Sequence, residues 1–410
     1  MSMTVASTID VLIAGAGPAG LALARACALQ GLTVAIVSPN VKDKWPATYG
    51  FFCDDGERAQ VGDALSSVWA RPFVQVESGR ITLDRPYAFL NKSLLQNRWL
   101  EELSVQGVSM VDDRVTSVES RGKTPEVRLA GGSSIRARVV VDTTGAQAVL
   151  MGRNPGRQAQ LALGWKIRVT ESPWAEDEAC WMDLRPVADG VPTFLYALQT
   201  GSDEMLVEET TLATACNLGR GFFEGRLKAR LARWGLDCTE VLDEEWVHIP
   251  LLGDLGQPQG CVVGFGAAGG FVHPSTGYSF TRSVIAANAF SAALAEGLAS
   301  GTAESAVRRA HAVVWPASLR RARSLHSLGL KLLVAMDAHE THRFFASFFR
   351  LSPADQKTWL SADASFGAVA RVMASLFGVA DWNVRRDILR ASTGLVQPFS
   401  PLAISTGGSP

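Results

Sequence analysis

An apolar run at residues 10–14 gives way to a glycine cluster at 15–20, then to apolar positions at helical spacing through 21–29, then to a second apolar run at 33–37. Short apolar runs bounded by turn residues predict buried strands, and the intervening periodicity predicts a helix. The chain therefore opens as a βαβ unit. The same succession of strand and glycine loop returns twice. Residues 138–142 end in Asp142-Thr143-Thr144-Gly145, and residues 261–264 lead through Gly264-Phe265-Gly266-Ala267-Ala268-Gly269 towards a helix from about 283. Three such units separated by long insertions predict one nucleotide-binding sheet assembled discontinuously.

Between the second and third units, residues 161–169, 193–198 and 204–210 predict strands and 221–234 a helix, a separate α+β layer. Beyond about 303 the spacing turns helical over 307–335, 340–349 and 366–377, with Pro316 expected to split the first of these. The stretch after 396 is expected to fray. The expected fold class is thus α/β. A Rossmann-like sheet is built from 1–75, 130–160 and 255–300. An inserted α+β substrate layer covers 76–129 and 161–254, and a helical C-terminal region covers 301–400.

Composition narrows the ligand class. The 39 basic and 40 acidic residues of the 410 leave a net charge of -1, which argues against a broad grip on nucleic acid and for a small or apolar ligand. The six cysteines show no CxxC spacing, so neither a metal site nor a disulfide framework is expected, and a reducing compartment fits. No export signal is read at the start of the chain, and the weakly charged stretch 283–295 is too short to cross a bilayer before Glu296 closes it. The expectation is a cytoplasmic protein, soluble or peripheral. A hydrophobic content of 47% leaves room for a surface that touches lipid.

Gly15, Gly17 and Gly20, with Pro18 and Ala19 between them, sit where a dinucleotide fingerprint must sit, after a strand and before a helix. There glycine permits a tight turn, close approach to a pyrophosphate and close helix packing. The acidic residue that usually holds the ribose is replaced by Ser38, a weaker partner. Asp142 and Gly145, with Gly266 in the late loop, add the further nucleotide elements expected of FAD proteins rather than of simple nicotinamide dehydrogenases.

Separated blocks along the chain resemble one family. They are Trp45-Pro46 with Tyr49-Gly50 and Asp54-Asp55, Leu83-Asp84-Arg85-Pro86-Tyr87 with Asn91-Lys92, Phe194-Leu195-Tyr196-Ala197, Glu208-Glu209-Thr210, Val272-His273-Pro274-Ser275-Thr276-Gly277-Tyr278, and Arg343-Phe344-Phe345 with Phe348-Phe349. In content and order these look like the blocks of lycopene cyclases of the plant and cyanobacterial type, most like the β-ring type. The resemblance spans nearly the whole chain, with Leu206-Val207 standing where the family often has Phe-Leu. It implies cyclisation of linear carotene end groups without net redox change, FAD kept in its reduced form by NADPH, and lycopene drawn from a lipid membrane surface. By matching, the family's catalytic acid falls on Glu208. Close alternatives are an ε-ring cyclase, or an isoprenoid reductase or monooxygenase on the same fold.

The chemistry can be argued from the residues as well. Protonating an unactivated alkene needs a carboxyl whose proton is retained by burial, and a base must then take a ring proton. Glu208 and Glu209 are both catalytic candidates, but neighbours on a strand face opposite ways, so one of them, expected to be Glu208, enters the pocket. His273 is either the base or a loop-ordering residue. Pro274 and Gly277 are expected beside the flavin, and Trp45, Tyr49, Tyr196 and Tyr278 along the substrate. Asp84 and Arg85 read as a structural pair, and Arg282 as a partner for a helix or a phosphate. The aromatic stripes 344–349 and 366–377 are either core or a membrane-facing surface.

Overall fold

The computed structural model describes residues 8–119, 124–154, 156–187 and 190–392; the stretch after 396 lies outside the described residues. At its centre is a parallel sheet in the spatial order Ser109–Asp112, Val34–Ser38, Ile9–Ala14 and Ser134–Asp142, with Val262–Gly264 pairing to Ser134–Asp142. Val11 and Ile13 of the central strand pack with Leu21, Leu23, Val139, Val141 and Phe290. Fully burying one such side chain contributes about 1.5–3 kcal/mol, so this layer carries much of the fold. Parallel strands buried on both faces read as continuous apolar runs, which is why all of these but the half-exposed Ser109–Asp112 are legible in the sequence.

The expected domain boundary at 76–129 needs correction. Ser109–Asp112 runs parallel to Val34–Ser38, and the hairpin of Val115–Glu119 and Glu126–Leu129 extends Ser134–Asp142 antiparallel. The helix Lys92–Val105 packs on Pro18–Leu29. The helix Lys92–Val105, the strand Ser109–Asp112 and the hairpin therefore belong with the nucleotide-type sheet. Half-buried alternation predicts strands but carries no sign of which sheet they join.

A second sheet has the order Cys238–Pro250, Ala159–Val169, Glu204–Thr211, Thr193–Gln199, Glu178–Asp183, Arg71–Val76, Gly79–Thr82. The helix Arg220–Trp234 covers one face, seating Phe223, Leu227 and Leu231 against Leu163, Ile167 and Val207. The other face is left to line a cavity. A short third sheet joins Gly50–Phe52, Tyr87–Leu90 and Leu65–Trp69.

The C-terminal region is helical, and Pro316 separates Ala303–Val314 from Ala317–Ala335 as expected. Phe280–Ser300 is longer than the sequence suggested. Among the described residues it is the one helix long and apolar enough to cross a membrane, yet it packs against Pro18–Leu29 and Ala303–Val314, so its apolar residues serve the core.

Candidate active site

The uncovered face of the second sheet floors a cavity of about 480 Å³. Register builds that floor in rows. Tyr196 lies opposite Glu208, Glu208 opposite Gly164 and Gly164 opposite Glu245 on successive strands. Phe194, Thr210 and Val247 belong to the next row, and all three line the cavity. The helices Ala338–Phe348 and Pro353–Leu360 roof it with residues such as Phe345 and Trp359.

The chain contains four tyrosines, and Tyr49, Tyr87, Tyr196 and Tyr278 all line this one cavity. The Tyr87 and Tyr278 hydroxyls are 2.9 Å apart, and Trp181 Nε1 donates to the Tyr278 hydroxyl at 3.3 Å. A Cβ at Gly50 would come 2.2 Å from the Tyr87 hydroxyl and 2.9 Å from that of Tyr196. Only glycine there admits both rings. The result is a chamber with a cluster of aromatic rings on one side.

Glu208 projects into this chamber. Its carboxylate Oε1 accepts from Thr210 Oγ1 at 2.6 Å, and the surface it retains opens onto the cavity. Burial pushes its carboxyl up to about 7, with the Thr210 hydrogen bond pulling down and the charge of Glu245 adding to the rise. The group is therefore substantially protonated near neutral pH.

Glu209 faces the other way, as the period-two argument requires. It is fully buried under Arg220–Trp234, with Arg230 Nε at 2.7 Å, Arg226 Nη1 at 4.0 Å and the Thr193 hydroxyl at 2.5 Å. Burial raises its carboxyl while Arg230 pulls it back. It does not line the cavity, so its place among the expected catalytic residues is corrected to an ion-pair partner in the core.

His273 also stands behind the cavity wall. Its Nδ1 accepts from the Ser275 backbone N–H at 3.2 Å, and its ring packs 4.5 Å from that of His326. Burial, with His326, Arg282 and Arg323 nearby, holds its imidazole well below the ordinary value. That makes it a poor proton acceptor and favours its loop-ordering alternative. The loop turns back through Gly277 N donating to His273 O at 3.0 Å. Gly277 lines the cavity next to Pro274-Ser275-Thr276.

Trp45 is another departure. Its indole N–H donates to Ala16 O at 3.0 Å and it packs on Trp99, beneath the first glycine loop rather than in the cavity. Arg85 pairs with Asp54 and Asp55 at 2.8 Å each instead of with Asp84. Arg282 lies 4.1 Å over the Trp315 ring and 4.5 Å over Phe271. Tyr87 and Glu245 were not expected in the site. Tyr87 lay inside a block that carried the resemblance; Glu245 had no local signal.

The three glycine loops meet. Gly15 adopts φ +115°, and a Cβ there would stand 2.7 Å from Thr143 O; at Gly20 it would stand 2.0 Å from Gly15 O. Thr143 Oγ1 donates to Ala14 O and Gly15 O at 2.8 and 2.9 Å, locking the first loop to the second. Gly266 lets the late loop close on Ala19, where a Cβ would come within 2.5 Å. The helix Pro18–Leu29 begins at Gly17 with no side-chain cap, and no atom lies within 4 Å of the position a Gly17 Cβ would take. Open N–H groups and vacant space at a helix N-terminus suit a pyrophosphate. Ser38 ends the neighbouring strand, its hydroxyl 3.4 Å from Pro39 O. Asp142 differs from expectation: its carboxylate accepts from Thr144 N, Thr144 Oγ1, Leu150 N and Met151 N, and so is spent on the 144–151 turn. Gly145, at φ +80°, has open space where a Cβ would stand. Ala146 and Ala267 line the cavity, so the second and third glycine loops border the chamber.

Residues 10–386 match the family model described as lycopene cyclase protein. The chain is 31% identical over 404 residues to the lycopene beta cyclase, chloroplastic/chromoplastic, of Capsicum annuum, covering 94% of this chain and 81% of that protein. In fold it is similar to a geranylgeranyl bacteriochlorophyll reductase-like protein of Thermoplasma acidophilum, with a TM-score of 0.72 at 13% identity over 94% of this chain and 99% of that one. A probable FAD-dependent monooxygenase of Pseudomonas aeruginosa, pqsL, superposes with a TM-score of 0.58 at 20% identity, covering 80% and 97% of the two chains.

Proposed function

The chain is a member of the lycopene cyclase family, and from that premise we propose that it closes linear carotene end groups into β-ionone rings, with Glu208 as the proton donor. The observation that carries the reading is the Glu208 carboxyl, raised to about 7 by burial and facing an apolar cavity lined by all four tyrosines.

Glu208 delivers its proton to the terminal double bond of the end group, leaving a tertiary cation; the next double bond attacks it, and the ring cation loses a neighbouring proton. Nothing is oxidised or reduced. The faces of Tyr87, Tyr196, Tyr278 and Trp181 stabilise the moving positive charge, and the apolar walls exclude the water that would trap it. The Tyr87–Tyr278–Trp181 hydrogen bonds hold the rings in place without presenting a free nucleophile.

The glycine loops fit FAD. Gly15, Gly17, Pro18, Ala19 and Gly20 would receive the pyrophosphate, Ser38 the ribose, and Gly145, Gly266, Pro274 and Gly277 would flank the rest of the cofactor. When bound and reduced, FAD supplies negative charge beside the cavity that favours a cationic transition state. NADPH is the proposed reductant. A lipid surface on the cytoplasmic side is the proposed source of lycopene, because a carotene is insoluble in water; exposed Phe366, Trp382 and Leu389 on the C-terminal helices suit such a contact.

Anaerobic incubation of the purified protein with FAD, NADPH and lycopene in liposomes, followed by chromatography, tests the reading. A cyclic isomer of lycopene supports it. Unchanged lycopene with continuous NADPH consumption would replace it with a reductase or monooxygenase acting on another isoprenoid.

A further inference from the structure

The cavity floor carries a second carboxyl in line with the first. Glu245, on the edge strand Cys238–Pro250, lies directly opposite Gly164, which itself lies opposite Glu208. Residues paired across a sheet share a face, and both glutamates line the cavity. Glu244, one residue earlier, turns to the other side and accepts from Trp165 Nε1 at 3.1 Å. Gly164 contributes no side chain to the space between the two carboxyls. Their strands are two spacings apart, roughly 9.5 Å, and the Glu208 side chain leans over Gly164 between them, its Oε2 3.4 Å from where a Cβ would stand, so both carboxyls face one stretch of the floor.

Their surroundings differ. Glu208 has the single Thr210 hydroxyl and apolar walls. Glu245 accepts from Thr48 N at 3.2 Å on one oxygen and from Thr48 Oγ1 at 2.9 Å on the other. A carboxyl accepting on both oxygens is behaving as a carboxylate does. Two carboxyls sharing a site in contrasting environments divide into acid and base.

We propose that Glu245 is the base that removes the ring proton after Glu208 has delivered its own. The assignment rests on the cyclase reading. The O–H bond of Glu208 breaks as a C–H bond forms at the terminal alkene carbon. The π pair of the second alkene forms the ring C–C bond. A C–H bond beside the resulting cation then breaks, its electron pair becoming the ring double bond and its proton passing to Glu245. Glu245 is half-exposed on an edge strand and returns that proton to water, and Glu208 regains one from water before the next turnover. Because the base selects which neighbouring C–H breaks, Glu245 also sets the ring isomer.

The test compares the parent with Glu245→Gln and Glu245→Asp, measuring bound flavin, lycopene binding, kcat and ring isomer for each. A positioned base typically contributes 10²–10⁴-fold. Glu245→Gln is expected to keep flavin and lycopene binding while kcat falls at least about 100-fold, with the residual product a mixture of ring isomers and Glu245→Asp restoring part of the rate. Turnover by Glu245→Gln within about threefold of the parent, with an unchanged isomer, would overturn the assignment, since that is far below the contribution of a base. Loss of lycopene binding together with activity would also overturn it, leaving Glu245 a tether for Thr48. A parent that forms no ring removes the cyclase reading itself, and the assignment with it.

Discussion

Gly164 stands opposite Glu208 on the adjoining strand, and a Cβ built there would lie 3.4 Å from Glu208 Oε2. Glycine inside a strand costs about 0.5–1 kcal/mol relative to alanine, so its presence at the floor of the cavity is a concession to space. Gly164→Val is expected to keep or slightly raise the melting temperature while lowering kcat at least tenfold, because the added methyls crowd the Glu208 carboxyl away from the end group. Parallel thermal melts and carotene chromatography check it; an unchanged kcat would mean the end group binds elsewhere in the cavity.

Glu208 makes activity and stability depend on pH in the same direction. Its carboxyl titrates near 7 in the fold, against an ordinary 4.5. The favourable contribution of the protonated group is fully present below about 4.5 and is lost as pH rises through 7. Turnover should therefore decline through pH 7 as the proton donor ionises. Glu208→Gln should be inactive at every pH, yet more stable than the parent at pH 8 by about 3 kcal/mol, and equal to it near pH 4. Urea unfolding at the two pH values reads the difference.

On the opposite face of the same strand, Glu209 answers two buried guanidiniums, Arg226 and Arg230. Removing one partner of a buried pair leaves an uncompensated charge and costs about 3–5 kcal/mol. Glu209→Gln is expected to lower stability by that order while leaving the kcat of the folded fraction within a few-fold of the parent. Loss of kcat at full stability would return Glu209 to the list of catalytic groups.

The cofactor cradle separates folding from binding. At Gly17 a side chain meets no protein atom within 4 Å, whereas at Gly20 it would meet Gly15 O at 2.0 Å. Gly17→Val should fold with an unchanged melting temperature but purify with little flavin, while Gly20→Val should fail to fold. Absorbance of released flavin per mole of protein is the measurement; full occupancy in Gly17→Val would contradict the proposed pyrophosphate position.

What was legible in the sequence follows from how local each constraint is. Gly15–Gly20 and the 142–145 turn announce themselves because their backbone demands are met by specific residues a few positions apart. The opposite facing of Glu208 and Glu209 follows from strand periodicity alone. Cys238–Pro250 was not anticipated, since its Asp243-Glu244-Glu245 run is charged on both faces, as only an edge strand tolerates. Glu245 was missed with it. Tyr87 enters the cavity by a pairing between distant segments, which periodicity does not encode. Trp45, brought in by the resemblance, is instead spent on the first glycine loop through Ala16 O, while His273 takes the loop-ordering one of its two expected roles.

The most direct test of the account is cyclisation in D₂O with reduced FAD, with the product weighed by mass spectrometry. If Glu208 delivers an exchangeable proton to the end group in a redox-neutral closure, each ring formed carries one deuterium, and NADPH is not consumed in proportion to product. A ring without deuterium, or a product two hydrogens heavier than lycopene, would contradict it.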